Sequence, residues 1–420
     1  MIYMKEKDKF KQIILILFSI LPFIDSLNGI FIKNDMFSIG SLYKMLLIVY
    51  LIFLLAKKGD ILKIISGSKY VLFFIIYIFL SILINLFLLQ SHLISYSYPF
   101  KLIFNIIFMY ILYSCLKNQI INRELLDRIF SNNVIFIIIC IFIPYIFGLG
   151  NTIYSGNIGY KGFYFSQNEL SAILIILLFY SLYKLCNDYS IISFLKFIGI
   201  LFCIIIMSSK TSMLVAFIAI IVLCINFIFT KKKYILDIIY KFKNIDFKRK
   251  FLISLTMLFI LVICFYFLSK PIFGFLSRQT SLITNYNGSI LATITSGRIY
   301  YVNDATKQLI NSPYYILNIL IGNGFISNFL VEMDFFDIFF YIGLIGVLIL
   351  IWFIQWIFKK STYMFVKDKS FSLIIGFILL LCFSFVAGHI LFMSTSGIYA
   401  CLYCAFLLSN EHFKEENKNG

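Results

Sequence analysis

Apolar runs long enough to cross a bilayer recur along most of this chain, and that repetition is the strongest limit on its fold. Spans of roughly 17–25 residues are predicted near 12–31, 39–56, 70–90, 100–116, 134–150, 169–186, 190–207, 211–229, 251–268, 335–358, 371–388 and 390–408. An all-α polytopic membrane protein of about 12 helices is therefore expected. Of the 420 residues, 61% are hydrophobic, 19% aromatic and only 13% charged, which excludes a soluble globular class. The mean hydropathy of +0.97 agrees. Only once does the pattern stop for long. Between Ser269 and Asp334 the chain is polar, and it then resumes with FFYIGLIGVLILIWFIQWIF. The expected organisation is a membrane domain over 1–268 (about nine helices), a large loop over 269–334, a membrane domain over 335–408 (about three helices) and a tail over 409–420.

Lys and Arg set the expected orientation, because loops rich in them stay in the cytoplasm. They gather in the N-terminal tail (Lys5, Lys7, Lys9, Lys11), in the second, fourth and eighth loops, and near the C-terminus (Lys414, Lys418). Both termini are thus expected inside and the large loop outside. The net charge of +17 resides in those loops. A nucleic-acid partner would need a basic folded domain with groove-reading elements, and none is visible. The stretch over 231–250, KKKYILDIIYKFKNIDFKRK, has apolar residues at helical spacing and reads as an interfacial helix on anionic membrane lipids. The first apolar run lacks a small-residue cleavage site and is expected to remain as a span. The nine Cys lie in or beside spans; Cys401 and Cys404 form a CxxC within an apolar helix, which favours core packing over metal or redox chemistry. Neither a metal nor a cofactor is expected.

Charge near the hydrocarbon is costly and therefore informative. Asp25 and Lys44 sit at similar depth on the first two spans, and a structural ion pair is predicted. In YKGFYFSQNELSAIL, Lys161 lies in a loop while Asn168 and Glu169 open a helix, either as caps or as part of a site. Lys210, in MSSKTSMLVA, opens another. With the N–H groups of Thr211, Ser212 and Met213 it would suit a phosphate; a lysine reaching for the interface is the plainer reading. In the large loop, TITSGRIYYVNDATKQLI reads as a helix capped by Thr295 or Ser296, with Ile299, Val302, Ala305 or Thr306 and Leu309 as its buried stripe. Arg298 then falls in its first turn, a place for a cation that faces an anion; Arg278 is a further cation of the loop. Asp334 and Asp337 share a helix face, with Glu332 just before them. They serve as counter-ions or supply a general base. His389, in AGHILFMSTSG, is either structural or a second candidate base.

SQNELSAIL, then SSKTSMLVA, then a large loop with SGRIYY, then EMDFFDIFFYIGLIG, with PFIDSLNG at the start and AGHILFMS near the end, together resemble the O-antigen ligase and polymerase superfamily. The likeness is strongest to bacterial capsule or O-antigen repeat-unit polymerases. It implies an all-helical, metal-independent, inverting glycosyltransferase of the bacterial cytoplasmic membrane. Such an enzyme moves a growing glycan from undecaprenyl pyrophosphate to a lipid-linked repeat unit on the outer face. A flippase and a chain-length regulator of the same pathway are the partners this implies. The basic loop residues of the family map to Lys210, where arginine is usual, and to Arg298. Many relatives carry a His-Asn pair just before the tenth span; here Glu332 and Asp334 stand there, so the base is a carboxylate or His389. Two alternatives stay open. A ligase would deliver finished glycan to another acceptor, and a flippase or other transporter would move the lipid-linked unit, although no internal repeat is seen.

Overall fold

The computed structural model describes residues 2–58, 69–88, 97–154, 158–243, 269, 271–323, 330–365, 371–386, 388–390 and 393–409. The chain is an all-α polytopic membrane protein, with one short hairpin among the described residues. Its first half comprises α1 (Ile2–Ser19), α2 (Leu21–Lys33), α3 (Ile39–Lys57), α4 (Lys69–Leu88), α5 (Ser97–Lys117) and α6 (Arg123–Ile146). The hairpin β1 (Thr152–Tyr154) and β2 (Ile158–Tyr160) follows, then α7 (Gln167–Asp188), α8 (Ile191–Met207) and α9 (Lys210–Lys243). A helix over 271–285, α10, opens the large loop. After it come α11 (Ile290–Thr295), α12 (Arg298–Ile310), α13 (Tyr315–Ile321), α14 (Asp334–Phe365), α15 (Phe371–Val386) and α16 (Ser394–Leu408).

Eleven of the twelve expected spans hold a helix, and the twelfth, 251–268, lies outside the described residues. So do 244–250 of the basic segment and 410–420 of the tail. Among the described residues, five helices are long and apolar enough to cross a bilayer by themselves; five shorter apolar helices and one bent pair fill the other intervals. Polar caps start several of them. The side chains of Asn122, Ser166 and Ser190 accept from the N–H groups of Leu125, Glu169 and Ser193, satisfying donors that the first turn leaves over. α7 forms the centre of the bundle, with an unbroken buried run from Leu170 to Tyr183. α3 instead turns Leu46, Val49 and Phe53 outward, each more than half exposed, as a lipid-facing helix should.

Two expected spans are not straight. The first is broken between Ser19 and Leu21 and bends by 40°. Pro22 has no N–H, and its ring crowds the carbonyl of Phe18 one turn back, so the helix restarts there. The span after the large loop is interrupted at Gly343, with φ 67° and ψ −173°, a conformation open essentially to glycine. Here α13 drives its end into the kink. A Cβ on Gly343 would lie 2.3 Å from the Leu320 carbonyl, and one on Gly322 2.3 Å from Tyr341 C. Backbone carbonyls released by this interlock need partners inside an apolar bundle. α4 supplies them: Tyr77 donates to Ile342 O (2.6 Å), Ser81 to Ile321 O (2.7 Å) and Asn85 to Gly322 O (3.1 Å). Asn323 N–H completes the junction by donating to Phe340 O (2.7 Å).

Candidate active site

Where the large loop re-enters the bundle, a short irregular segment carries Glu332. Its backbone is left-handed, with φ 63°, which costs a non-glycine residue about 1–3 kcal/mol. Three bonds hold it there. Val331 N–H and Met333 N–H donate to the two oxygens of Asp337 (2.7 and 3.0 Å), and Gly388 N–H donates to Glu332 O (2.9 Å). An isolated bridge between Met333 and Gly388 continues this contact. Gly388 itself has φ 93° and leaves no room for a Cβ beside the Asn168 side chain (2.7 Å). Asp334 ties the facing segment: Ser384 Oγ (2.6 Å) and Ile390 N–H (2.7 Å) both donate to its Oδ2. These two carboxylates are completely buried, and backbone N–H groups take the places expected for cations. Glu332 differs from them. Its side chain is 50% exposed and points to solvent, where Arg298 Nη2 lies 3.3 Å from its Oε2.

Arg298 opens α12, whose N-cap is Gly297 in a left-handed conformation rather than the expected Thr295 or Ser296. Val302, Ala305 and Leu309 are its buried stripe, and Thr295 Oγ1 accepts from Ile299 N–H (3.4 Å) at its start. The guanidinium is largely buried, and its Nη1 donates to Thr295 O (3.4 Å). Arg298 and Arg278 are near enough to act electrostatically on Lys210, so three cations share this region. Arg278 stacks on Tyr154 of β1, 3.3 Å from the ring centroid, and Gln167 donates to the Tyr154 hydroxyl. Burial lowers the Arg278 pKa and Tyr154 opposes that; a guanidinium stays charged at neutral pH regardless. Lys210 donates to the Thr293 carbonyl at the end of α11. The phosphate cradle expected at its helix start is mostly spent: Ser212 N–H donates to Ser209 Oγ and Met213 N–H to Ser209 O. The lysine, not the backbone, is what this end offers an anion.

His389 is an electrostatic neighbour of both Glu332 and Arg298. Its Nδ1 is 3.4 Å from Asp337 Oδ2 and 3.8 Å from Asp334 Oδ1, and its ring is 5.6 Å from that of Tyr98. Burial pushes the imidazole pKa down to about 4, Arg298 and Lys101 push the same way, and Glu332 opposes them. Farther along, Asp25 and Lys44 stand 2.6 Å apart with both side chains 1% exposed. Lys44 also donates to Thr395 Oγ1 (3.0 Å), and Glu169 is an electrostatic neighbour of Lys44 and Lys101. Lys161 is placed by the hairpin loop, where Nζ donates to Phe165 O. Burial and the charge of Lys33 lower its pKa.

Residues 277–413 match the family model described as O-antigen ligase like membrane protein. The match supports the O-antigen ligase/polymerase superfamily. No curated protein matches the chain. The ligase-like region contains Arg278, Arg298, Glu332, Asp334, Asp337 and His389, whereas Lys210, Lys161, Asn168 and Glu169 precede it.

Sequence reasoning missed Tyr98, Lys101 and Tyr154 as neighbours of the ligase-like site. Nothing in YPFK or TIYS marks those residues as polar in purpose, since an aromatic beside a membrane boundary is commonplace. The useful signal was three-dimensional: α5 and β1 had to be brought against α14 and α10. Asp337 was visible as the i+3 partner of Asp334, but its role as a backbone clamp depends on a turn that spacing does not reveal.

Proposed function

We propose that this protein is an oligosaccharide repeat-unit polymerase acting on the outer face of the bacterial cytoplasmic membrane. In this reading it transfers a growing glycan from undecaprenyl pyrophosphate to a lipid-linked repeat unit. The observation that carries it is the half-exposed Glu332 carboxylate, held in a left-handed backbone, paired with Arg298 and acting electrostatically on His389. A hydroxyl of the acceptor sugar attacks the anomeric carbon. The new C–O bond forms as the bond from that carbon to the pyrophosphate oxygen breaks, with inversion, and Glu332 takes the hydroxyl proton. Arg298, Arg278 and Lys210 stabilise the charge that grows on the departing pyrophosphate. The half-exposed carboxylate then returns its proton to water.

A ligase using the same donor and a different acceptor would work with the same cations and base, and the ligase-like description of the matched family favours keeping that reading in view. Glycan and lipid-linked material from cells lacking the protein separate the two. Loss of the ladder, with single units on undecaprenyl pyrophosphate reaching the outer face, supports a polymerase. Intact lipid-linked polymer that fails to reach its final acceptor supports a ligase, and single units trapped inside overturn both.

A further inference from the structure

Below Lys101 lies a cavity of about 130 Å³ between α4, α5, α14 and α16. Leu102 and Met109 of α5, Ile338 and Phe353 of α14 and Cys404 of α16 are among its walls, which are almost entirely apolar. A cavity of this kind stays dry; one of about 150 Å³ lined by aliphatic and aromatic groups takes a small hydrocarbon. The helices fix its direction. α5, α14 and α16 all begin at the end of the bundle that carries Lys101, Asp334 and Met393, so the cavity runs inward from there. Asn105 donates to Met393 O (3.1 Å), which seals α5 to the start of α16 above it.

Lys101 stands at this end of α5, one turn above Asn105, with weak partners. Among the described residues, its Nζ is 4.0 Å from Met393 Sδ and 5.5 Å from the Tyr98 ring centroid. A thioether and a ring face are weak partners for a half-buried ammonium with three donors. The same charge acts on His389 and Glu169, so it neighbours the candidate site. Cation above and hydrocarbon pocket below are complementary to a lipid with an anionic head.

We infer that this cavity receives part of the isoprenoid chain of a second lipid-linked substrate, the acceptor, with Lys101 facing its phosphate. The inference rests on the transferase reading and adds a lipid site of its own for the acceptor, beside Lys101. A ligase with a soluble or protein acceptor has no use for such a pocket.

The test uses the whole protein in nanodiscs with a polyprenyl phosphate that carries a diazirine on its chain. Labelling should concentrate on peptides containing Met109 or Cys404. Lys101→Ala should reduce it about tenfold, as loss of one charge-assisted phosphate contact implies, and Lys101→Arg should retain it. Cys404→Phe, which fills the pocket without touching the charge, should abolish labelling there; a thermal melt shows that each variant is folded. Equal labelling by a diazirine phosphatidylglycerol would mean that ordinary membrane lipid fills the pocket, and would overturn the inference. So would labelling that Lys101→Ala and Cys404→Phe both leave unchanged. Transfer between lipid-linked units, measured alongside, separates the two levels. If Arg298→Ala abolishes transfer and Lys101→Ala leaves it intact, the acceptor pocket is wrong and the transferase reading stands; if neither matters, both fall.

Discussion

Glu332 is a residue whose backbone and side chain have opposed interests. A non-glycine residue at φ 63° is strained, yet the strain aims its carboxylate at Arg298 (3.3 Å). Glu332→Gly should therefore raise thermal stability by something on the order of 1 kcal/mol while abolishing transfer; a melting temperature below wild type would show that the backbone is not strained there. Glu332→His should keep part of the activity. Histidine tolerates the left-handed region better than most residues and can also take a proton. Asp337→Asn acts through Glu332, because it weakens the acceptor shared by Val331 and Met333. A lower kcat with an unchanged dependence on donor concentration is expected, and restored rates in Asp337→Glu would mark it as a positioning residue. His389 makes a pH prediction. Its folded-state pKa of about 4 lies below the unfolded value near 6.5. Its contribution to stability is thus fully present above pH 6.5 and is lost as the pH falls towards 4, because the unfolded chain gains the proton first. A melt of wild type against His389→Gln over that range checks it: the difference between them should shrink with acid.

At the scale of elements, much was legible because hydrophobic length is a strong signal. The runs expected at 39–56, 169–186 and 371–388 are helices at nearly those bounds. α12 is legible for the same reason, with Val302, Ala305 and Leu309 on its buried face. What spacing hides is where a helix is interrupted. Gly343 reads as one small residue in FFYIGLIG, yet it receives the backbone of α13, and the polar residues that satisfy that junction, Tyr77, Ser81 and Asn85, come from α4 more than 230 residues earlier in the chain. Gly343→Ala should lower the folded, membrane-inserted fraction sharply. It combines a conformation that costs about 1–3 kcal/mol with a 2.3 Å approach to the Leu320 carbonyl. Normal yield and melting temperature in that variant would mean that α13 does not lock into α14.

For the molecule as a whole, the candidate site was legible as a set of residues but not as a geometry. Lys210, Arg298, Glu332 and His389 could each be marked because charge is rare in so apolar a chain. Their roles came from contacts with distant helices. The two buried aspartates are clamps, the exposed glutamate faces the cations, and Lys44 turns to Asp25 and Thr395. The resulting arrangement joins two groups through Arg298: Arg278 and Arg298 act on Lys210, and Arg298, Lys101 and Glu332 act on His389. Cations beside an exposed carboxylate suit a reaction in which one partner leaves as an anion and the other arrives as an alcohol. The most direct measurement is transfer by the purified protein in nanodiscs, supplied only with repeat units on polyprenyl pyrophosphate. Wild type should yield a ladder of lipid-linked glycans and release polyprenyl pyrophosphate, and Glu332→Gln should slow this by about 10²–10⁴-fold. A Glu332→Gln protein that builds the ladder at the wild-type rate would contradict the account.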